Sequence, residues 1–315
     1  MNKRRIALID LGTNTFHLLI TEIDYFGRSN VLLRLKLPVK LGRGGISTGR
    51  IAPDAYERAM VTLQTFKEKI AEYRVTDVKA LATSAMRNAA NGPELAEDIR
   101  TKIGFDIEII TGDREAELIY YGVRSAMDLG YEKNLIIDIG GGSVEFIICN
   151  RDTVFWKRSF EIGAQRLLDH FFKHDPIPEN EIAAEREFLL HKLAPLAEAV
   201  QEFQPKTLVG SSGTFDTLCD IEAWKHGINR LDNPSSEATL PLEAFYRMYY
   251  EILPMNHAQR LAIPGMIEMR ADMIVVALIL IDFVIREFQI ERVRVSAYAL
   301  KEGMLQQLLA QKTPV

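Results

Sequence analysis

Leu135-Ile136-Ile137-Asp138-Ile139-Gly140-Gly141-Gly142-Ser143-Val144-Glu145 joins an apolar run, an aspartate, a glycine-rich turn and a second apolar run. The pattern predicts a strand buried on both faces, a tight loop and a returning strand. Ile6-Ala7-Leu8-Ile9-Asp10-Leu11-Gly12-Thr13-Asn14-Thr15 has the same form, 138 − 10 = 128 residues earlier. Glycine and hydroxyl residues just past a strand let backbone N–H groups come close to a phosphate. A carboxylate at the strand end would repel that phosphate, and becomes useful by holding a hard cation such as Mg²⁺. Two such turns predict a phosphate and metal clamp between two domains.

The 315-residue length fits two domains, and an apolar content of 47% is ample for two cores. A net charge of −5 argues against broad electrostatic binding of nucleic acid or acidic membrane, so a polyanionic substrate needs a local basic site. Cys149 and Cys219 sit in apolar stretches and read as small core residues rather than a disulfide framework. Strand-like sequence begins by Ile6, which leaves no room for a signal peptide. The apolar run Met273–Ile281 lies between Asp272 and Asp282 and is shorter than the ~20 residues of a membrane span. It reads as a buried helix, and the expected location is the cytoplasm.

Along the first half the pattern predicts strands 6–10, 17–24 and 30–37, a helix after Pro53, strand 78–82, a helix near 93–103, strand 106–110 and a helix 113–127. The second half gives strands 134–139, 144–150 and 153–161, helices near 163–173 and 179–202, and strand 206–210 leading into Ser211-Ser212-Gly213-Thr214 and a helix. Gly227–Thr239, rich in Asn, Ser, Asp and Pro, reads as a loop. Strand 290–296 and a last helix from about 298 complete the chain. The expectation is an α/β protein of two domains with a duplicated βββαβα topology. The first domain covers 1–127 with the C-terminal helix, about 298–315, and the second covers 128–297.

Six ordered motifs carry a resemblance. They are Asp10-Leu-Gly-Thr-Asn-Thr-Phe-His17, Thr83-Ser-Ala-Met-Arg87-Asn-Ala89, Thr111-Gly-Asp-Arg-Glu115-Ala-Glu-Leu-Ile-Tyr-Tyr-Gly-Val123, Asp138-Ile-Gly-Gly-Gly-Ser-Val-Glu145, Ser212-Gly213-Thr214 and Arg270-Ala271-Asp272. Together they resemble the Ppx/GppA phosphatases of the actin-like ATPase superfamily. The resemblance implies two actin-like (ribonuclease H-like) domains with an interdomain active-site cleft. It also implies Mg²⁺-dependent exopolyphosphatase activity, with guanosine pentaphosphate hydrolysis as the alternative, and a homodimer is expected. Arg114 stands where the family often has an acidic residue, and Val275 where it usually has proline. The helical domain of longer members is expected to be missing. Two other classes stay open, a small-molecule kinase on the same fold and a non-catalytic sensor of guanosine polyphosphates.

Phosphoanhydride hydrolysis needs an oriented water, a proton acceptor and neutralised phosphoryl charge. The resemblance makes Glu115 the base, although a first-turn glutamate can equally just stabilise its helix. Asp10 and Asp138 are the expected Mg²⁺ partners, through waters, or else turn caps. Glu145 should share a face with Ser143, and the resemblance makes it a second acidic residue of the site. Gly140, Gly141, Gly142 and Ser143 form the expected phosphate cradle, matched by Thr13, Asn14 and Thr15. Arg87 could grip phosphate oxygens, or lie in a solvated loop; Arg43 is a weaker candidate. Gly213 and Thr214 open a helix whose N-terminus suits an anion. Arg270 and Asp272 read as a structural pair outside catalysis. The histidines show no metal-ligand spacing.

Overall fold

In the computed structural model, which describes residues 4–230, 232 and 235–310, the apolar run ending at Asp10 forms β1 (Arg4–Leu11). It pairs antiparallel with β2 (Thr15–Ile23), which pairs with β3 (Ser29–Pro38). Pro53 starts α1 (Pro53–Glu72) at a position where its missing N–H costs nothing. β4 (Asp77–Ala82) then lies parallel to β1. The short helix α2 (Ser84–Asn88) and α3 (Gly92–Asp98) lead through a π turn, Ile99–Ile103, to β5 (Ile107–Ile109) and α4 (Gly112–Ala126). The sheet order is β3-β2-β1-β4-β5.

The second sheet repeats this order. β6 (Asn134–Ile139), β7 (Val144–Cys149) and β8 (Val154–Phe160) form the antiparallel meander, followed by α5 (Ala164–Phe171). The expected helix 179–202 is two helices, α6 (Glu179–Lys192) and α7 (Ala194–Phe203). Pro195 falls in the first turn of α7 and cannot continue a helix from α6. β9 (Thr207–Ser211) runs parallel to β6 and leads into α8 (Gly213–Lys225). The loop expected at Gly227–Thr239 ends in a short strand, β10 (Glu237–Thr239), paired to β11 (Arg292–Ser296). Residues 231, 233 and 234 of that segment lie outside the described residues, as do 311–315 of the stretch expected as the last helix. Between β10 and β11 come α9 (Leu242–Ile252), α10 (His257–Leu261) and α11 (Met273–Glu287). The order is β10-β11-β9-β6-β7-β8, so β8-β7-β6-β9 matches β3-β2-β1-β4 strand for strand. This is the expected α/β class, with the expected duplicated topology in two sheets.

The chain separates into two units, one with described residues 4–122 and 300–310, the other 123–299. In the second unit α11 is buried from Met273 through Ile285, an apolar stretch broken by Asp282, which pairs with Arg186 and Arg286. Among the described residues no helix is long and apolar enough to cross a membrane. Cys149 and Cys219 are free and buried, and burial pushes the Cys219 thiol up to about 12.

In the first unit the C-terminal helix (Leu300–Ala310) packs against β1 and α4. Gly303 allows the contact with α4, because a Cβ there would sit 1.8 Å from the Leu118 carbonyl oxygen. Gly303→Ala gains about 1 kcal/mol of helix propensity but must push two helices apart. A net loss of about 1–3 kcal/mol is expected, read as a lower midpoint in urea unfolding.

Glu185 on α6 is fully buried, and neither carboxylate oxygen has a hydrogen-bond partner among the described residues. Burial raises its pKa well above the ordinary carboxylate range, with the Arg186 charge opposing. The folded chain therefore keeps a proton that the unfolded chain gives up. The stability this confers is complete below the ordinary carboxylate pKa and falls as pH rises toward the folded value, by about 1.4 kcal/mol per pH unit. Glu185→Leu should remove this slope. Thermal melts from pH 5 to 8 would then show a flatter profile than wild type, and parallel profiles would refute the assignment.

Candidate active site

The turn after β1 is held by backbone geometry. Gly12 N–H donates to the Thr15 carbonyl (3.1 Å), Gly42 N–H to Thr13 O (3.0 Å), and Val39 and Lys40 N–H to Asn14 O (2.9 Å each). Thr13, Asn14 and Thr15 are all buried. The turn after β6 has the same closing bond, Gly140 N–H to Ser143 O (3.0 Å). Its carbonyls are taken by the start of α5: Gly163 N–H donates to Gly142 O (3.2 Å), Ala164 N–H to Gly140 O (2.9 Å) and Gln165 N–H to Gly141 O (2.9 Å). Arg166 Nε adds a bond to Gly142 O (2.8 Å). With the carbonyls turned to the helix, the amides of Gly141, Gly142 and Ser143 are the loop's remaining donors. A cradle of this kind suits an anion.

Strand register sets the acidic residues side by side. In the second unit Ser211, Asp138, Glu145 and Ser159 are consecutive partners across β9, β6, β7 and β8. Glu145 is buried and accepts a bond from Ser159 Oγ (2.7 Å), so it is no ordinary exposed strand residue. Ser211 Oγ donates to Asp138 Oδ2 (2.6 Å), while Ser212 Oγ lies 2.7 and 2.8 Å from the two Asp138 oxygens. Ser212 has φ 71°, ψ 175°, a conformation that costs a non-glycine residue about 1–3 kcal/mol. Its hydroxyl, bound to a buried carboxylate, offsets that strain.

Asp138 and Glu145 are buried carboxylates on adjacent strands, so the ligand atoms they offer are oxygens. That donor set fits a hard divalent cation, which commonly takes one or two carboxylates and fills its remaining positions with water and substrate phosphate. Hydroxyl bonds already occupy much of the Asp138 carboxylate, which favours a contact through water. Among the described residues no cluster of three metal-ligating side chains occurs. In the first unit Asp10 has the equivalent strand-end place, and its partner on β2 is His17, followed by Lys36 on β3. His17 Nε2 lies 3.0 Å from Thr15 Oγ1. Sequence reasoning passes over His17 as a neighbour of Asp10; the alternation of β2 carried the signal.

Glu115 sits in the first turn of α4, its N–H bonded to Thr111 O (3.0 Å). Arg87, at the end of α2, donates through Nη1 to Glu115 Oε2 (2.9 Å) and to Ile110 O (3.1 Å). The guanidinium thus fixes the carboxylate against the start of its helix. Arg43 is exposed in its turn.

Arg270 corrects the sequence reading. Asp272 does not pair with it; Asp272 accepts bonds from Arg260 Nη2 (2.9 Å) and His257 (2.6 Å). Arg270 is buried, and its Nη2 lies 2.4 Å from the place a Cβ on Gly213 would take. Burial pushes the guanidinium pKa down, opposed by the charges of Asp216 and Asp138. Arg270 Nε and Thr214 Oγ1 are both buried without a hydrogen-bond partner among the described residues. The N-terminus of α8, a buried cation and two unmet polar atoms therefore meet at Gly213-Thr214. An oxyanion would satisfy all of them.

A model of the Ppx/GppA phosphatase family matches residues 19–312. The crystal structure of an exopolyphosphatase from Cytophaga hutchinsonii superposes with a TM-score of 0.94 at 42% identity, over 98% of this chain and 99% of that one. A Ppx/GppA family member from Aquifex aeolicus gives 0.81 at 26% identity, over 99% and 100%. A Haemophilus influenzae relative is 30% identical over 98% of this chain and 92% of its own length. A guanosine-5'-triphosphate,3'-diphosphate pyrophosphatase from Photobacterium profundum is 27% identical over 96% of this chain, which spans 59% of that protein. With the family model covering almost the whole described chain, the protein belongs to the Ppx/GppA phosphatase family.

Proposed function

We propose that the protein hydrolyses the terminal phosphoanhydride of inorganic polyphosphate and releases orthophosphate. The observation that carries the reading is the oxyanion cradle at Gly213, Thr214 and Arg270, which begins two residues after Ser211 of the Ser211–Asp138–Glu145 row. The likeness to the Cytophaga hutchinsonii exopolyphosphatase supports polyphosphate. The likeness to the Photobacterium profundum pyrophosphatase supports guanosine pentaphosphate as the alternative, since it too ends in a phosphoanhydride.

In this reading the second unit binds phosphate. Amides of Gly141, Gly142 and Ser143, the start of α8 and Arg270 neutralise the phosphoryl oxygens. Thr13, Asn14 and Thr15 offer equivalent donors in the first unit. Glu115 takes the proton of the attacking water as its oxygen bonds to the terminal phosphorus. The P–O bond to the chain breaks, and the shortened chain leaves with the bonding electron pair. Arg87 holds the Glu115 carboxylate in one orientation. Mg²⁺, when bound, would supply further neutralisation of phosphoryl charge; in the second unit Asp138 and Glu145 are the residues that would hold it.

Phosphate release from both substrates tests the reading. Glu115→Ala should lower kcat about 10²–10⁴-fold with a melting temperature near wild type, and retained activity would remove the base. Chelation by EDTA should abolish turnover and added Mg²⁺ restore it; full activity after chelation would exclude the metal.

Gly213→Ala should displace Arg270 and raise KM for polyphosphate about tenfold or more. An unchanged KM in a folded Gly213→Ala protein would remove the cradle from substrate binding.

A further inference from the structure

Arg260, on α10, heads the fully buried side chains of the described residues, with no exposed surface. Its helix is fixed by a capping box in which Asn256 accepts from Gln259 N–H (3.0 Å) and Gln259 Oε1 accepts from Asn256 N–H (2.9 Å). All three guanidinium nitrogens are engaged. Nε donates to the Ala271 carbonyl, Nη1 to Asp175 Oδ1 (2.7 Å) and the Met255 carbonyl, and Nη2 to Asp272 Oδ1 (2.9 Å). Its Cζ lies 5.4 Å from the centre of the Phe172 ring. His257 ties the same two carboxylates together, with its N–H on Asp175 Oδ2 (2.7 Å) and Nδ1 2.6 Å from Asp272 Oδ1.

A buried guanidinium is costly, and apolar residues of similar volume often replace such ion networks without loss of stability. The network therefore calls for another explanation, and its targets provide one. Two of its acceptors, Ala271 O and Asp272, immediately follow Arg270. Arg270 itself ends a single 3₁₀ turn, Glu268–Arg270, and its Nε has no hydrogen-bond partner among the described residues. Its reach to Gly213 thus depends on where the backbone of 270–272 is held.

We propose that Arg260 is a positioning residue for the phosphate site. It fixes the 271–272 backbone from behind, so that the Arg270 guanidinium lies against Gly213 before substrate arrives. The proposal rests on the reading of Gly213, Thr214 and Arg270 as the phosphate cradle.

A double-mutant cycle on polyphosphate hydrolysis tests it, with KM and the inhibition constant of orthophosphate as readouts. Arg270→Gln alone should raise both about tenfold or more. Asp272→Asn, at a half-exposed side chain, removes a charge from the network and should raise both in the same direction with kcat less affected. Arg260→Lys, which keeps the charge and loses the fork, is the second variant, and either one that folds by its melting curve decides. Combined with Arg270→Gln, each should add nothing further. Effects that multiply would show a general structural role and overturn the proposal, as would wild-type KM in a folded Asp272→Asn or Arg260→Lys protein. If Arg270→Gln itself left KM unchanged, the cradle reading would fall and the proposal with it.

Discussion

The first amides of α5 hold the carbonyls of Gly140, Gly141 and Gly142, and that capture decides which hydrogen-bonding side the glycine loop presents. A peptide group is rigid, so fixing its C=O direction fixes its N–H direction as well. Three glycines without such an anchor would sample many orientations and pay the ordering entropy on each binding event. Here the cost is met during folding by a helix that needed partners for its own orphan amides. The first unit reaches the same end with an irregular segment: Val39, Lys40 and Gly42 take the carbonyls of Asn14 and Thr13. Different sequences after the third strand of each sheet thus converge on one backbone solution.

Much of this architecture was legible because it is local. Apolar runs ending in Asp10 and Asp138 gave the central strands, and the equal spacing of elements revealed the duplicated topology. Glu145 was legible in part: alternation along β7 put it on the face of Ser143, while its place beside Asp138 is set by the register of β6 and β7. Arg270 was not. Its neighbour in sequence, Asp272, invited an ion pair, but residues two apart on a helical turn do not face each other. Arg270 instead reaches Gly213, and Asp272 turns to Arg260 and His257. No periodicity reports which distant glycine leaves room for a guanidinium. The break between α6 and α7 had a visible signal in Pro195, obscured by helical spacing that continues on both sides of it.

Charge is distributed unevenly over the repeated framework. The second unit places Asp138 and Glu145 together with serine hydroxyls, whereas the equivalent strands of the first unit pair Asp10 with His17 and then Lys36. Elsewhere carboxylates are tied to guanidinium groups, as in Glu115 with Arg87 and Asp272 with Arg260. Ion pairs with one or both partners buried add little net stability compared with apolar packing. Their value lies in fixed direction, which a proton acceptor or an anion-gripping cation needs more than it needs free energy.

The pairing of Asp138 on β6 with Glu145 on β7 has a consequence for the chain's tolerance of insertions. Side chains alternate between the two faces of a strand, so a shift of β7 by one residue against β6 would exchange its faces. Glu145 would turn away from Asp138, and Phe146, now in the core, would take its place. The residue count between Ile139 and Val144 therefore bears on which face of β7 meets Asp138. A single added residue in that loop that moved the register would keep both carboxylates in the sequence and still part them.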